Sequence, residues 1–118
     1  MKSFLRYLPA LFIISCSWYL SSQERIENMP TFWNSDKLVH CVCFGVLTFW
    51  VAFGLNIKRK TLQLIVPIVI VSVYGIIDEM HQSYIPGRDV SVADWLADTI
   101  GAILGSYLYR WLGKKYNL

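Results

Sequence analysis

Ile76-Ile77-Asp78-Glu79-Met80-His81-Gln82-Ser83-Tyr84-Ile85-Pro86-Gly87-Arg88-Asp89 is the stretch that decides how this chain is read. Ionisable groups crowd it, Asp94 and Asp98 follow closely, and apolar segments flank it on both sides. A charge that close to hydrocarbon is expensive, so such groups tend to mark a site. Moving outward, apolar runs cover about residues 4–20, 38–57, 62–77 and 92–112. Each approaches the roughly 20 residues that carry a helix across about 30 Å of hydrocarbon. Backbone polar groups in lipid must be satisfied within the chain, so the runs are expected to be helices.

The expected fold is therefore all-α: one domain over residues 1–118, a membrane-embedded bundle of four transmembrane helices at about 4–20, 36–57, 62–84 and 92–112. Composition agrees, with 55% hydrophobic and 16% charged residues and a mean hydropathy of +0.42. The basic residues Lys2, Arg6, Lys58, Arg59, Lys60, Arg110, Lys114 and Lys115 fall at the two termini and in the 56–61 loop. Four spans put those regions on one side, which the positive-inside bias makes cytoplasmic. Every acidic residue and both histidines fall on the other side. The net charge of +3 thus averages over a dipolar chain. Short basic anchors without interleaved exposed aromatics argue against nucleic acid as a partner. The lipid bilayer is the expected one.

Cys16, Cys41 and Cys43 form no disulfide framework, being odd in number and inside or beside the spans. Lys2 and Arg6 ahead of Leu8–Ile14 allow a signal peptide, and Ile13-Ile14-Ser15-Cys16 has the outline of a lipoprotein cleavage box. A retained helix with Trp18 and Tyr19 as interfacial anchors is the simpler reading. Tyr107, Tyr109 and Trp111 are expected to anchor the opposite interface.

Ser35 or Asp36 is a natural cap for the second helix, and Asp36, four residues before His40, shares its face. His40 then either satisfies itself against Asp36 or joins the outer site. In the third helix Tyr74, Asp78 and Gln82 form one stripe at four-residue steps, with Glu79 beside it and His81 directed away from Asp78. Pro86-Gly87 signals a turn, and Ser91-x-x-Asp94 resembles a capping box. Asp94, Asp98, Gly101 and Gly105 recur at steps of 4, 3 and 4 on one face of the last helix. The two glycines let another helix approach closely, within the chain or in a homodimer.

Collected at the outer rim are Asp36, Lys37, His40, Asp78, Glu79, Gln82, Arg88, Asp94 and Asp98. So many carboxylates cannot all be ionised and unpaired in a poor dielectric. His40, Asp78, Glu79 and Asp94 are the candidates for acid–base chemistry. Arg88, Lys37, Gln82 and Asp36 are the candidates for binding substrate. His40, Glu79 and Asp94 could also hold a divalent cation, although no spacing requires a cofactor. The competing reading is structural, a salt-bridge network through Arg88 that locks three helices and orders the loop. An ion-conducting path is disfavoured, because the inner halves of the spans lack ionisable residues.

Asp36-Lys37-x-x-His40, Asp78-Glu79-x-x-Gln82, Pro86-Gly87-Arg88-x-x-Ser91-x-x-Asp94 and Thr99-Ile100-Gly101 together resemble the VanZ-like family of small bacterial membrane proteins. The resemblance covers roughly residues 33–106. Asp98 stands where that family more usually has asparagine, and His81 is not among its motif residues. The resemblance implies a multi-pass protein of the bacterial inner membrane. The family takes its name from a member associated with resistance to the glycopeptide antibiotic teicoplanin. It implies His40, Asp78, Glu79, Gln82, Arg88 and Asp94 as site residues. A lipid-linked envelope precursor is the expected partner, bound or chemically modified; a non-catalytic scaffold or docking protein is the alternative.

Overall fold

The computed structural model describes residues 2–22, 35–84 and 92–118, with the side chains at 2, 3, 20, 21 and 35–37 outside the description. The described residues are helical throughout, apart from short connections: α1 (Lys2–Leu5), α2 (Leu8–Ser21), α3 (Ser35–Leu55), α4 (Lys60–Gln82) and α5 (Val92–Tyr116). The four longer helices coincide with the four apolar runs. The N-terminal run differs in one respect, since a turn at Arg6 and Tyr7 divides it into α1 and α2.

Two helices, α3 over Leu38–Leu55 and α4 over Lys60–Gln82, are long and apolar enough to cross a membrane. The apolar part of α2, Leu8–Tyr19, is shorter. At 25 residues α5 has the length, but Asp94 and Asp98 near one end and Arg110, Lys114 and Lys115 near the other dilute its apolar character. At about 1.5 Å per residue α3, α4 and α5 are long enough for a hydrocarbon layer of about 30 Å, and α2 is not. The bundle is 43 Å along its longest axis.

The distribution of side chains is the reverse of a water-soluble bundle. Large apolar groups such as Phe12, Val69, Ile77, Leu104 and Trp111 lie on the outside, while Thr48, Asp78, Glu79, Gln82, Asp94, Asp98 and Ser106 are buried. Water would penalise that exterior, whereas lipid accepts it and leaves the interior to polar and tightly packed groups. The apolar core is small, built on Ala10, Phe44, Leu47, Val51, Val71 and Ala102.

Helices α3 and α5 make the most extensive helix pair, and glycine permits it. A Cβ at Gly101 would collide with the Cys41 carbonyl, and one at Gly105 with the Gly45 carbonyl. The Gly101-x-x-x-Gly105 face therefore serves a contact inside the chain, with backbone against backbone. Helix α4 runs without interruption through the buried Pro67. Near that proline the Ser106 hydroxyl donates to the Leu64 carbonyl at 2.7 Å, fastening α5 to the turn that proline loosens. Further along, the Trp95 indole N–H donates to the Ser72 carbonyl at 3.1 Å.

The basic residues gather at one end. Arg6 donates to the Phe53 carbonyl at 2.9 Å and to the Leu118 carbonyl at 3.0 Å. Its guanidinium carbon also sits 3.9 Å from the centroid of the Phe53 ring. Arg110 donates to the Lys60 carbonyl at 2.6 Å. The start of the chain, the turn before α4 and the C-terminal end are thus neighbours. The carboxylates lie at the opposite ends of α4 and α5.

One aromatic assignment is corrected by packing. Tyr109 is no interfacial anchor: it is 3% exposed and meets Phe49 edge to face at 5.5 Å. Its place on the inward stripe of α5, four residues past Gly105, explains this. Trp18 stacks on His81, with centroids 4.0 Å apart and planes inclined by 10°. It thereby pins α2 to α4.

Candidate functional site

Three helices supply the site. From α4 come Asp78, Glu79 and Gln82, all buried in its last turn and a half. From α5 come Asp94 and Asp98, both buried; Asp94 in the first turn also suits the positive end of the helix dipole. From α3 comes His40, 17% exposed, whose Nδ1 lies 2.8 Å from Asp98 Oδ1. Ligand atoms of His40, Glu79 and Asp98 all fall within 4.8 Å of one another.

An aromatic layer underlies these groups. Phe44, one turn below His40, has its ring 6.2 Å from the imidazole and 5.7 Å from the ring of Tyr74. Tyr74, one turn below Asp78, donates its hydroxyl to Ser17 Oγ at 3.2 Å. Gly75 keeps this corner open: a Cβ there would lie 3.2 Å from Phe44, 3.3 Å from Asp98 Oδ2 and 3.4 Å from Trp95. Below the aromatics come Leu47, Val71 and Ala102. The polar cluster is therefore closed off from the middle of the bundle.

Glu79 is the unusual member. Its side chain is 7% exposed, and among the described residues neither carboxylate oxygen has a hydrogen-bond partner. Asp98, fully buried, uses Oδ1 for His40 while Oδ2 has no partner among the described residues. Leaving a buried donor or acceptor unmet costs about 1–3 kcal/mol, and more when it is charged. That cost needs a reason.

The rim expected from the sequence is brought together in part. His40, Asp78, Glu79, Gln82 and Asp94 occupy one end of the bundle. The side chains of Asp36 and Lys37, on the first turn of α3, fall outside the described residues. So do Arg88 and the caps expected at Ser35 or Asp36 and at Ser91. Among described groups the partner of His40 is Asp98, on a different helix from the one expected for local pairing with Asp36. Asp98 is the residue that sequence reasoning undervalued, although its i+4 spacing from Asp94 had put it on the inward face. His81 points away from Asp78, as its position on the helix implies. It stacks on Trp18, and its Nε2 lies 3.4 Å from Ser22 Oγ.

Fold and site together define a class, an all-helical membrane protein with an apolar exterior and a buried histidine–carboxylate cluster at one end. The VanZ/LLP1 family model matches residues 4–113, and the chain belongs to that family. No curated protein and no solved structure is significantly similar to it.

Proposed function

We propose that the cluster at the end of α3, α4 and α5 is a binding site for a lipid-linked component of the bacterial cell envelope. In this reading the four longer helices all cross the inner membrane, the basic end is cytoplasmic and the cluster faces outward. The observation that carries the proposal is Glu79, a carboxylate buried among other carboxylates with both oxygens unpartnered among the described residues. A group of that kind, with an oxygen within 4.8 Å of a histidine nitrogen, suits proton transfer or ligand binding better than helix packing. Glu79 or His40 would move a proton, while Arg88 and Lys37 would hold a phosphate or carboxylate.

An apolar groove supports the lipid-linked part of the reading. It has a volume of about 390 Å³ and runs between α3 and α5, lined by Cys41, Val46, Phe49, Leu104 and Leu108 among others. It opens on the outer, apolar surface of the α3–α5 pair, its lining starting at Cys41, the residue after His40 in sequence, and such an apolar groove suits a prenyl or acyl chain.

A second reading, a scaffold whose cluster is a folding lock, draws on the His40–Asp98 contact that ties α3 to α5. Buried ion pairs add little stability over apolar packing, so that contact does not account for Glu79. The test is an untargeted profile of lipids and peptidoglycan precursors in cells lacking the gene. The cells are complemented with wild type or Glu79→Gln at matched membrane abundance. The expected result is a species that accumulates without the gene, clears with wild type and persists with the variant. An identical profile in every strain would transfer the case to the scaffold. That reading predicts rescue of Arg88→Glu by a compensating carboxylate→Arg change.

A further inference from the structure

We infer that His40, Glu79 and Asp98 form a binding site for one divalent transition-metal cation, of the Zn²⁺ or Mn²⁺ type. The inference deepens the proposed reading of this same cluster, because it names the ion that would meet the head group. Its grounds are geometry, burial and donor chemistry.

The geometry is close to that of a ligand set. Metal–nitrogen and metal–oxygen bonds of about 2.0–2.2 Å put neighbouring ligands about 3–4 Å apart around a shared ion. The three groups already offer atoms within 4.8 Å of one another. Side-chain adjustments of under about 1 Å would close the set, less than many rotamer changes require. Each residue comes from a different helix, so the ion would be held by the rigid part of the bundle.

Burial supplies the motive. Glu79 is 93% removed from solvent contact by its 7% exposure, and both its oxygens lack a partner among the described residues. Asp98 is wholly buried, and its Oδ2 lacks a partner on the same terms. Asp78 precedes Glu79 directly, and Asp94 lies one turn before Asp98; both are also buried. An isolated buried carboxylate costs many kcal/mol when ionised, unless it pairs, takes up a proton or coordinates a metal. A doubly charged cation at this point satisfies Glu79 and the second oxygen of Asp98 together. For His40 to join the set through Nδ1, the ion replaces the proton shared with Asp98 Oδ1, and their 2.8 Å separation is already close to that of two ligands on one ion.

Donor chemistry narrows the ion. One imidazole with two carboxylates suits first-row divalent metals, whereas Ca²⁺ and Mg²⁺ prefer oxygen donors alone. Cys41 and Cys43 are not in the set, so a soft thiolate site is not implied. Such an ion would supply a Lewis acid or an anchor for phosphate at the position the proposed substrate's head group reaches.

The test uses the whole chain purified in detergent, stripped with chelator and equilibrated separately with Zn²⁺, Mn²⁺, Ca²⁺ and Mg²⁺. Metal per chain is measured by mass spectrometry after gel filtration, and bound Mn²⁺ also by electron paramagnetic resonance. Wild type should retain one equivalent of Zn²⁺ or Mn²⁺. Glu79→Gln and Asp98→Asn should each weaken binding by about tenfold or more, the lower range for a perturbed metal site. Cys43→Ser, at an exposed position, should bind as wild type does. Glu79→Gln preserves shape and breaks no hydrogen bond among the described residues, so it tests the site even where Asp98→Asn fails to fold. Wild type that takes up none of the four ions, or Glu79→Gln that keeps a full equivalent, would overturn the inference. A changed envelope profile with no ion bound removes the cation alone. One equivalent bound with an unchanged profile upholds the cation and removes the envelope reading.

Discussion

At one end of the bundle charge is kept at the rim; at the other it is drawn inside. Arg6 and Arg110 are half-buried, with their stems against the bundle and their guanidinium groups donating to the carbonyls of Phe53, Leu118 and Lys60. Lys58, Arg59, Lys114 and Lys115 are exposed. At the far end Asp78, Glu79, Asp94 and Asp98 are each 7% exposed or less. Long basic side chains reach the interface and keep their charge hydrated. Asp and Glu have short stems and cannot do so from an inward face. The difference teaches that the basic end keeps its charge in contact with water, while the acidic end carries a desolvation cost that helix packing alone does not repay. Sequence charge counts treat the two ends alike. Burial separates them.

The largest effect should come from the contact that both ends depend on. Gly105→Leu would drive a side chain into the Gly45 carbonyl and force α3 and α5 apart. Overpacking in a tight core costs about 1–3 kcal/mol and sometimes more, and here the obstacle is backbone with no rotamer to yield. The expected outcome is loss of monodisperse protein and rapid proteolysis in membranes. A variant that purifies and melts like wild type would show that the α3–α5 contact is not what holds the two ends in register.

Next in size is the His40–Asp98 pair. Removing one partner of a buried pair costs about 3–5 kcal/mol, because the other is left uncompensated. Asp98→Ala should therefore lower resistance to denaturing detergent steeply. The double variant His40→Leu with Asp98→Leu should recover most of it, since an apolar replacement of a buried pair is often neutral. Recovered stability without recovery of the proposed envelope phenotype would sharpen the contrast between the ends. Equal losses in the single and double variants would mean the pair is a structural element after all.

Much of the architecture was legible in the sequence because its cause is local. Runs of apolar residues make helices in lipid whatever surrounds them, and the 4, 3, 4 spacing of Asp94, Asp98, Gly101 and Gly105 fixes an inward face by helix geometry alone. What was not legible depends on how separate helices meet. His40 has an acidic neighbour four residues away in sequence, yet its observed partner is 58 positions distant. Tyr109 carries the composition of an interfacial anchor but packs on Phe49, while Trp18 stays partly exposed and also stacks on His81. An aromatic near a helix end can face either lipid or a neighbour, and only the crossing of the helices decides. Trp18→Ala tests what the His81 contact adds. It should cost about 0.5–1.5 kcal/mol for the lost ring contact, while an interfacial anchor alone would leave stability unchanged and shift the depth of α2.

The smallest expected change in stability belongs to the basic end. Among the described residues Arg110 donates one hydrogen bond, at an exposed rim where water can take the carbonyl's place, so its net worth lies near the low end of about 0.5–1.5 kcal/mol. Arg110→Ala should accordingly melt close to wild type. Its effect should fall on orientation, and it should grow as Lys114 and Lys115 are also replaced by alanine, since retention of a terminus on the cytoplasmic side depends on the number of nearby Lys and Arg. A reporter fused after Leu118, fluorescent only in the cytoplasm, reads this directly. With the wild-type basic end the signal should be strong, and it should decline in the triple variant while the helical content of the purified protein stays the same. A triple variant that loses stability but keeps its orientation would reverse the comparison. The basic end would then be the structural one, and the acidic residues would have to determine which way the chain faces.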